Sequence, residues 1–389
     1  MSDDFIYMDH GATTPVDPAV VEAMLPYWTE LYGNPSSVHR AGREAQRALE
    51  GARRQVADLL GAQPAEIVFT GCGSESDNLA LRGVLWAAPE GRNHLITSVV
   101  EHKAVLDTAL QLQEQAGIAV TVLPVDEHGQ VRVADVEAAI RPETALISIM
   151  AANNEIGSLQ PVAAIGELAR ERKILFHTDA IQAAASTDWN LSAMPYDLVS
   201  LAPHKFYGPK GIGILYVRHG VTLQPALTGG SQEEGRRAGT SNVPYAIGAA
   251  KALRLAAAHR EENVAHYRRL RDRLIEGVLE AVPEGARLTG HPVERLPHNA
   301  SFAFQRINGN DLLIQLDMAG VAASSGSACL TGSPEPSRVL EAIGLDQSWA
   351  MGGLRLTVGR QNTMAEAERV IAAVARAVET MRTFAVQYS

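Results

Sequence analysis

The middle of the chain alternates short apolar runs with longer amphipathic segments, and this alternation constrains the fold more than any other feature. The short runs have the length of buried strands, and the longer segments have helical spacing. We predict strands at residues 94–100, 120–123 and 145–150, and helices at residues 104–116, 133–140 and 162–171. Strands that alternate with helices form parallel sheets. The sequence therefore predicts an α/β protein with a mostly parallel central sheet.

Lys205 lies where another predicted strand, within residues 197–202, ends. His204 precedes it, and the glycine-rich segment 208–213 forces a turn after it. Because glycines let another group approach the backbone closely, Lys205 is a candidate imine-forming amine. The alternative is an exposed lysine in a loop.

Asp179 also follows a predicted buried strand, at residues 174–176. Open α/β sheets bind their ligands at the carboxyl ends of the strands. A carboxylate there can keep a pyridine nitrogen protonated, and a protonated pyridinium is the electron sink that pyridoxal phosphate provides. The alternative is an aspartate that caps a helix. Asp179 and Lys205 are about one strand-to-strand crossover apart, so neighbouring strands can present both to one ligand.

A predicted strand, a glycine turn and a predicted helix follow one another at residues 66–85. At the start of this helix, the backbone N–H groups of Gly73 and Ser74, with the Ser74 hydroxyl, would form a seat for a phosphate. The alternative is a capping box, because Asp77 follows Ser74 by three residues. The two arrangements are compatible.

Two further polar residues have settings that suit a ligand site. His102 follows the predicted strand 94–100 and would stack on a flat cofactor or move a proton, unless it only caps the next helix. Arg355 lies between Leu354 and Leu356, which suits bidentate capture of a carboxylate. The alternative for Arg355 is a structural ion pair.

The chain has only two cysteines, Cys72 and Cys329, in dissimilar settings, so neither a disulfide framework nor a zinc site is predicted. Cys329 lies in a run of small, turn-forming residues at 324–334. Such a loop could swing a thiol over a cleft. The alternative is an unreactive loop thiol.

The size and charge of the chain limit what it can be. Its 389 residues predict two domains, which we assign to residues 15–255 and to residues 1–14 with 256–389. The formal net charge of −10 argues against a general nucleic-acid binder. The acidic amino-terminal segment does not resemble a signal peptide, and no apolar run reaches membrane-spanning length. We therefore expect a cytoplasmic protein without a membrane partner.

Taken together, the motifs resemble the pyridoxal-phosphate-dependent cysteine desulfurases of the nitrogen-fixation and iron–sulfur-cluster type, in the class V aminotransferase group. The likeness runs along nearly the whole chain. The matching segments are DHGATTP at 9–15, GNPSS at 33–37, EHKAV at 101–105, NNEIG at 153–157, HTDAIQ at 177–182, HKFYGPKGIG at 204–213, RAGTSN at 237–242, SSGSACLTGS at 324–333 and LRLTVGR at 354–360.

The resemblance implies the type I fold of pyridoxal-phosphate-dependent transferases, with a large cofactor-binding domain and a smaller α+β domain that carries the cysteine loop. It also implies a role for each matching residue. Around the cofactor ring, Lys205 would be the Schiff-base lysine, Asp179 the pyridinium partner, Gln182 a donor to the phenolic oxygen, and His102 the residue that stacks on the ring and carries a proton. Gly73, Ser74 and His204 would hold the phosphate, together with Thr240 of a second subunit. Asn154 would bind cofactor and substrate, Arg355 would bind the substrate carboxylate, and Cys329 would accept the sulfur.

The implied reaction converts L-cysteine to L-alanine and leaves the sulfur on Cys329 as a persulfide. An acceptor protein, such as a scaffold for iron–sulfur cluster assembly, would then take the sulfur from a homodimeric enzyme. No metal site of its own is implied, although Cys329 could ligate a cluster transiently with a scaffold partner. Alternatives are a selenocysteine lyase or an aminotransferase on the same scaffold, or a chain that serves mainly as a binding platform.

The sequence departs from the pattern of the family at three places. Ala202 stands where the family often has a serine that contacts the phosphate, and Pro203, which follows it, is also unusual. Gly71 and Cys72 replace a common Ser-Gly pair in the phosphate turn. Pro334 and Arg338 replace a usual leucine and a common histidine after the cysteine loop. We expect one missing or replaced phosphate contact, a stiffer approach to Lys205, and altered partner contacts or loop reach.

Overall fold

The computed structural model describes residues 5–325 and 336–387. Cys329 and Pro334 lie outside the described residues. The strands are β1 (Ile6–Tyr7), β2 (Ile67–Thr70), β3 (His94–Ser98), β4 (Ala119–Leu123), β5 (Thr144–Ser148), β6 (Leu175–Asp179), β7 (Leu198–Leu201), β8 (Gly213–Val217), β9 (Ala286–Leu288), β10 (Asn299–Phe304), β11 (Val321–Ala322) and β12 (Gly353–Thr357). The helices are α1 (Pro18–Met24), α2 (Pro26–Thr29), α3 (Arg40–Leu60), α4 (Gly73–Ala87), α5 (Lys103–Ala116), α6 (Val133–Ala139), α7 (Val162–Glu171), α8 (Val243–Ala258), α9 (Arg260–Ala281), α10 (Gly309–Met318), α11 (Arg338–Ala342), α12 (Gln347–Ala350) and α13 (Met364–Gln387).

The central sheet has seven strands in the order β2-β8-β7-β6-β5-β3-β4. Neighbouring strands from β4 to β7 pair in parallel, whereas β8 runs antiparallel to both β2 and β7. Helices α5, α6 and α7 connect strands β3, β4, β5 and β6 in turn, because a parallel pair needs a crossover, and a series of turns connects β6 to β7. The predicted α/β fold with a mostly parallel sheet is confirmed.

The register of β5, β6 and β7 brings their carboxyl ends to one edge of the sheet. Ser148 pairs with His177, and Asp179 pairs with Ser200. A short 3-10 turn, Pro203–Lys205, follows β7 directly. Asp179 and Lys205 therefore leave adjacent strands at the same edge, as predicted.

A second group of strands lies outside this sheet. β12, β10 and β9 form an antiparallel sheet, and β1 pairs in parallel with β11. The hydrophobic core of this part contains Ile6 from β1, Phe302 from β10 and Leu354 from β12. The amino-terminal segment thus packs with the carboxyl-terminal third of the chain. The domain boundaries stay a prediction.

Two predicted helices are broken. The apolar pattern at residues 19–31 predicts one helix, but α1 ends at Met24 and α2 begins at Pro26, whose ring removes a backbone N–H donor. The pattern at 243–279 also predicts one helix, but the backbone of His259, with φ −109° and ψ 12°, separates α8 from α9. Among the helices of the described ranges, none has both the length and the apolar character that a bilayer crossing requires.

Candidate active site

A cavity of about 350 Å³ opens at the carboxyl edge of β5, β6 and β7. It brings together most of the predicted site residues, which come from six separate stretches of the chain. Those that line it are Gly73, Ser74, His102, Asn154, Asp179, Gln182, His204, Lys205 and Arg355. Thr240 does not line this cavity but a neighbouring one beside Gly71. Its contribution from a second subunit stays a prediction, and Cys329 lies outside the described residues.

Lys205 is a partly buried amine at the floor of this cavity. Its Nζ donates hydrogen bonds to the carbonyl oxygens of Gly11, at 2.6 Å, and Ala12, at 2.8 Å. Burial, reinforced by the positive charge of Arg355, lowers the pKa of Lys205 to about 8. The alternative of a solvated loop lysine is therefore wrong, and a substantial fraction of the amine is neutral at mildly alkaline pH.

Asp179 is only 5 % exposed at the end of β6. Its Oδ1 accepts a hydrogen bond from the Ile181 backbone N–H at 2.9 Å, so the side chain also stabilises the turn that follows. Burial raises the pKa of Asp179, while the charges of His102 and Lys205 oppose this rise. A bound cation, such as a protonated ring nitrogen, would stabilise the carboxylate further.

The amino-terminal turn of α4 forms one wall of the cavity. The first backbone N–H groups of a helix have no partner within the helix, so Gly73 and Ser74 can offer theirs to an anion. A Cβ atom at Gly73 would lie 2.3 Å from Ile181 Cδ1, so a side chain there would require the Ile181 side chain to move. The predicted cap is wrong, because Cys72 caps α4 and its Sγ accepts from the Glu75 N–H at 3.4 Å.

His102 and His204 both line the cavity, and a hydrogen bond holds each ring. Nδ1 of His102 accepts from the Ala104 N–H at 3.1 Å, so this side chain caps α5 and lines the cavity at the same time. Nδ1 of His204 lies 3.2 Å from the Thr13 hydroxyl. Burial is the main cause, and the charge of Lys205 a smaller one, that lowers the pKa of His204 to about 4, so its ring is neutral.

Arg355 is buried beside the cavity. Its Nη2 donates to Asp9 Oδ1 at 2.9 Å, and its Nη1 donates to the Asn154 carbonyl oxygen at 2.8 Å. The alternative of a structural ion pair is therefore confirmed for Arg355. Within the described part of the chain its Nε has no hydrogen-bond partner. Because Nη1 and Nη2 each carry a second N–H, the guanidinium retains donor capacity for an anionic ligand while Asp9 holds its position.

These residues fit pyridoxal phosphate. The cavity presents an amine for the aldehyde of the cofactor, a buried carboxylate for the ring nitrogen, and a flat ring in His102. Gln182 also lines the cavity, and its Nε2 donates to the Gly11 carbonyl oxygen at 2.9 Å. The free N–H groups at the start of α4 suit a phosphate. Ala202 lines the cavity without a hydroxyl, as its departure from the family pattern predicts.

The sequence did not indicate that two further acids, Glu101 and Asp77, are buried near Asp179. Glu101 is 3 % exposed, and its Oε1 accepts from the Ser98 hydroxyl at 2.7 Å and the Met150 N–H at 3.1 Å. Asp77 is fully buried as well, and its Oδ1 lies 3.7 Å from His177 Nε2. Only the tertiary structure brings these carboxyl groups together, although the position of Glu101 beside His102 was visible in the sequence.

Replacement of Glu101 by glutamine is expected to flatten the pH dependence of stability. Burial raises the pKa of Glu101 to about 8, whereas an unfolded glutamate titrates near 4.3. Between these values the folded protein holds a proton that the unfolded chain loses, so wild-type stability falls as pH rises. Relative to wild type, the variant should gain about 3 kcal/mol between pH 5.5 and 8 in urea unfolding of the cofactor-free protein.

The control for this experiment is Glu114→Gln, which changes an exposed acid on α5. This variant removes a surface carboxyl group and leaves Glu101 in place, so it should keep the fall in stability between pH 5.5 and 8. If the Glu101→Gln and wild-type profiles ran parallel, Glu101 would not be the protonated acid that its burial implies.

Comparison with known proteins agrees with this geometry. Residues 6–370 match the family model for class-V aminotransferases. The chain is 49 % identical to a cysteine desulfurase IscS of Methanosarcina thermophila, over 97 % of this chain and 93 % of that protein. It is 47 % identical to a cysteine desulfurase of a Nostoc species, over 97 % and 94 % of the two chains.

Superposition on solved structures finds proteins of the same kind. A NifS-like protein superposes with a TM-score of 0.90 at 36 % identity, over 97 % of this chain and all of that one. A protein named SspA, in complex with cysteine, superposes with a TM-score of 0.78 at 37 % identity, over 92 % of this chain and all of that one. The chain therefore belongs to the class-V aminotransferases and, within them, to the cysteine desulfurases.

Proposed function

We propose that this protein converts L-cysteine to L-alanine and transfers the sulfur to Cys329, using the cavity around Lys205 as its active site. The observation that carries this proposal is the meeting of Lys205, Asp179 and Arg355 in one cavity, in a chain whose relatives are cysteine desulfurases. An amine, an acid for a ring nitrogen and a guanidinium for a carboxylate are the groups that an amino-acid substrate and pyridoxal phosphate require.

Pyridoxal phosphate, when bound, supplies an electron sink that stabilises negative charge on the substrate Cα. Lys205 would hold it covalently, and Asp179 would keep its ring nitrogen protonated. Gly73, Ser74 and His204 would hold its phosphate, with Thr240 of a second subunit. Gln182 would donate to its phenolic oxygen, and His102 would pack on its ring.

Arg355 and Asn154 would bind the substrate. The substrate carboxylate would approach the guanidinium of Arg355, which Asp9 and the Asn154 carbonyl hold from one side. A charge-assisted bond to a carboxylate fixes the orientation of the Cα–H bond as well as adding affinity. Substrates that lack a carboxylate should therefore be excluded.

Lys205 would take the proton from the substrate Cα. Its pKa of about 8 lies close to neutral pH, which suits a general base. The carbonyl oxygens of Gly11 and Ala12 orient its Nζ, because both accept hydrogen bonds from it. His102 would carry the proton of the substrate thiol, since its ring lies in the same cavity, once Nδ1 releases the hydrogen bond that it accepts from the Ala104 N–H.

Sulfur transfer would then occur at Cys329. The Cys329 thiolate attacks the substrate sulfur, a new S–S bond forms, and the Cβ–S bond breaks. The electron pair of the broken bond would stay on the substrate, where Cβ takes up one proton and Cα regains the proton that Lys205 had taken, which gives alanine. Ser324, which precedes Cys329 by five positions in the sequence, lines the cavity, and this supports access of Cys329 to the substrate.

The persulfide would pass to an acceptor protein, such as a scaffold for iron–sulfur cluster assembly, and the enzyme would act as a homodimer in the cytoplasm. Arg338, in a contact of 4.0 Å with Asp107 on α5, lies just after the cysteine loop, where an acceptor would approach.

The test is the stoichiometry of products from L-cysteine in the presence of dithiothreitol. We expect alanine and sulfide in equal amounts, because each turnover breaks one Cβ–S bond. An aminotransferase would instead form a 2-oxo acid and keep the sulfur on carbon. If 2-oxo acid appeared without sulfide, the desulfurase proposal would be wrong, and faster turnover of L-selenocysteine would favour the lyase alternative. A chain that is only a binding platform would show no cofactor absorbance.

A further inference from the structure

The phosphate turn carries an acidic side chain just outside the cavity. Glu75 is the third residue of α4, directly after Ser74. Its Oε2 accepts a hydrogen bond from the Gly71 backbone N–H at 2.7 Å, so the carboxylate lies against the turn that leads into the helix. Cys72, Gly73 and Ser74 line the cavity, whereas Glu75 does not.

The Glu75 carboxylate has two opposite effects at the start of α4. A carboxylate in the first turn stabilises the helix itself, because it faces the positive end of the helix dipole. The same negative charge repels a phosphate that binds to the N–H groups of that turn. An unpaired Glu75 would therefore weaken the seat that Gly73 and Ser74 form.

Arg237 cancels this charge from a distant part of the chain. Its Nε lies 2.7 Å from Glu75 Oε1, and its Nη2 lies 3.3 Å from Oε2, so the guanidinium binds both carboxylate oxygens. Both side chains are mostly shielded from solvent, with 21 % and 27 % of their surfaces exposed. Paired charges in this setting are screened less by salt than exposed ones.

We propose that Arg237 is a positioning residue for phosphate binding: by pairing with Glu75 it neutralises the carboxylate that accepts from the Gly71 N–H and keeps the turn Gly71–Ser74 in place. This inference rests on the proposed function, because the seat is the one assigned to the phosphate of the cofactor. Arg237 touches Glu75 and not the cavity, so it acts through the turn.

The test is a double-mutant cycle on the full-length, cofactor-free protein. The probes are pyridoxal phosphate, followed by its absorbance, and inorganic phosphate, followed by its competition with the cofactor. We expect Arg237→Gln to weaken inorganic phosphate about tenfold, because one negative charge is left beside a dianion. Glu75→Gln should strengthen it several-fold, and the double variant should return to within about threefold of wild type.

The matched control is Arg236→Gln. Arg236 is the preceding residue, and its ion pair with Glu234 is long, at 3.5 Å, and does not touch the turn. Its affinity for phosphate should equal that of wild type. Tighter binding by Glu75→Gln cannot arise from misfolding, so this variant keeps the test valid if Arg237→Gln is unstable.

Two results would overturn the inference. One is unchanged phosphate affinity in both single variants, and the other is a double variant that binds as weakly as Arg237→Gln alone. Wild-type protein that binds neither probe would be a different result, because it would overturn the proposed phosphate seat itself. The inference and the proposed function can therefore fail separately.

Discussion

Replacement of Cys329 by alanine is expected to lower sulfide release from L-cysteine by about 100-fold or more, while the absorbance of the bound cofactor is unchanged. The thiolate of Cys329 is the group that takes the sulfur in the proposed reaction, and no hydroxyl or methyl group can form a transferable persulfide. The groups proposed to hold the cofactor lie elsewhere, around Lys205 and the start of α4, so they remain intact.

The same experiment has an internal control, because the chain contains one other cysteine. After a single turnover with L-cysteine, mass spectrometry of the peptides should find the added sulfur on Cys329 and none on Cys72. If the Cys329→Ala protein released sulfide at the wild-type rate, or if the sulfur appeared on Cys72, the assignment of Cys329 would be wrong.

Replacement of Lys205 by alanine is expected to remove the covalent link to the cofactor and to lower alanine formation by about 10²–10⁴-fold. The variant loses both the amine that binds the aldehyde and the base that takes the Cα proton. Ultraviolet–visible spectra should show the absorbance of unlinked cofactor, and sulfide release should fall in parallel with alanine formation.

Lys210→Ala is the matched control for this variant. Lys210 lies in the same glycine-rich turn but is exposed and does not line the cavity. It should keep the wild-type spectrum and rate. A Lys205→Ala protein with the wild-type spectrum would show that another amine holds the cofactor, and the proposed site would then be misplaced.

The sequence predicts the central sheet well, because its strands and helices differ in length and in hydrophobic spacing. Helix α7 has the predicted bounds. Strands β3, β4 and β5 overlap the predicted strands and differ from them by one or two residues at their ends. The two predicted helices that are divided in the structure are each interrupted at a single residue. The hydrophobic pattern continues across Pro26 and His259, but Pro26 lacks the N–H that would continue the hydrogen bonds of α1, and the backbone of His259 departs from helical geometry.

The site could be predicted where the motif and the chemistry coincide, as for Lys205 and Asp179. Contacts between distant segments could not, because nothing local marks them. Neither the pairing of Glu75 with Arg237 nor the burial of Asp77 follows from its neighbours in the sequence. Arg355 shows the limit most clearly: its apolar neighbours suggested either a substrate contact or an ion pair, and the structure gives it both a partner and a place beside the cavity.

The ion pair between Asp9 and Arg355 also bears on how the protein is made. The two residues are 346 positions apart, and β1 pairs with β11 in the same region. Chains emerge from the ribosome amino terminus first, and contacts of such separation are slow to form. The large sheet can begin to fold on a nascent chain, but the wall of the active site that contains Arg355 is completed only near the end of translation. A ribosome that stalls before β12 would therefore release a chain with a folded sheet and an incomplete active site.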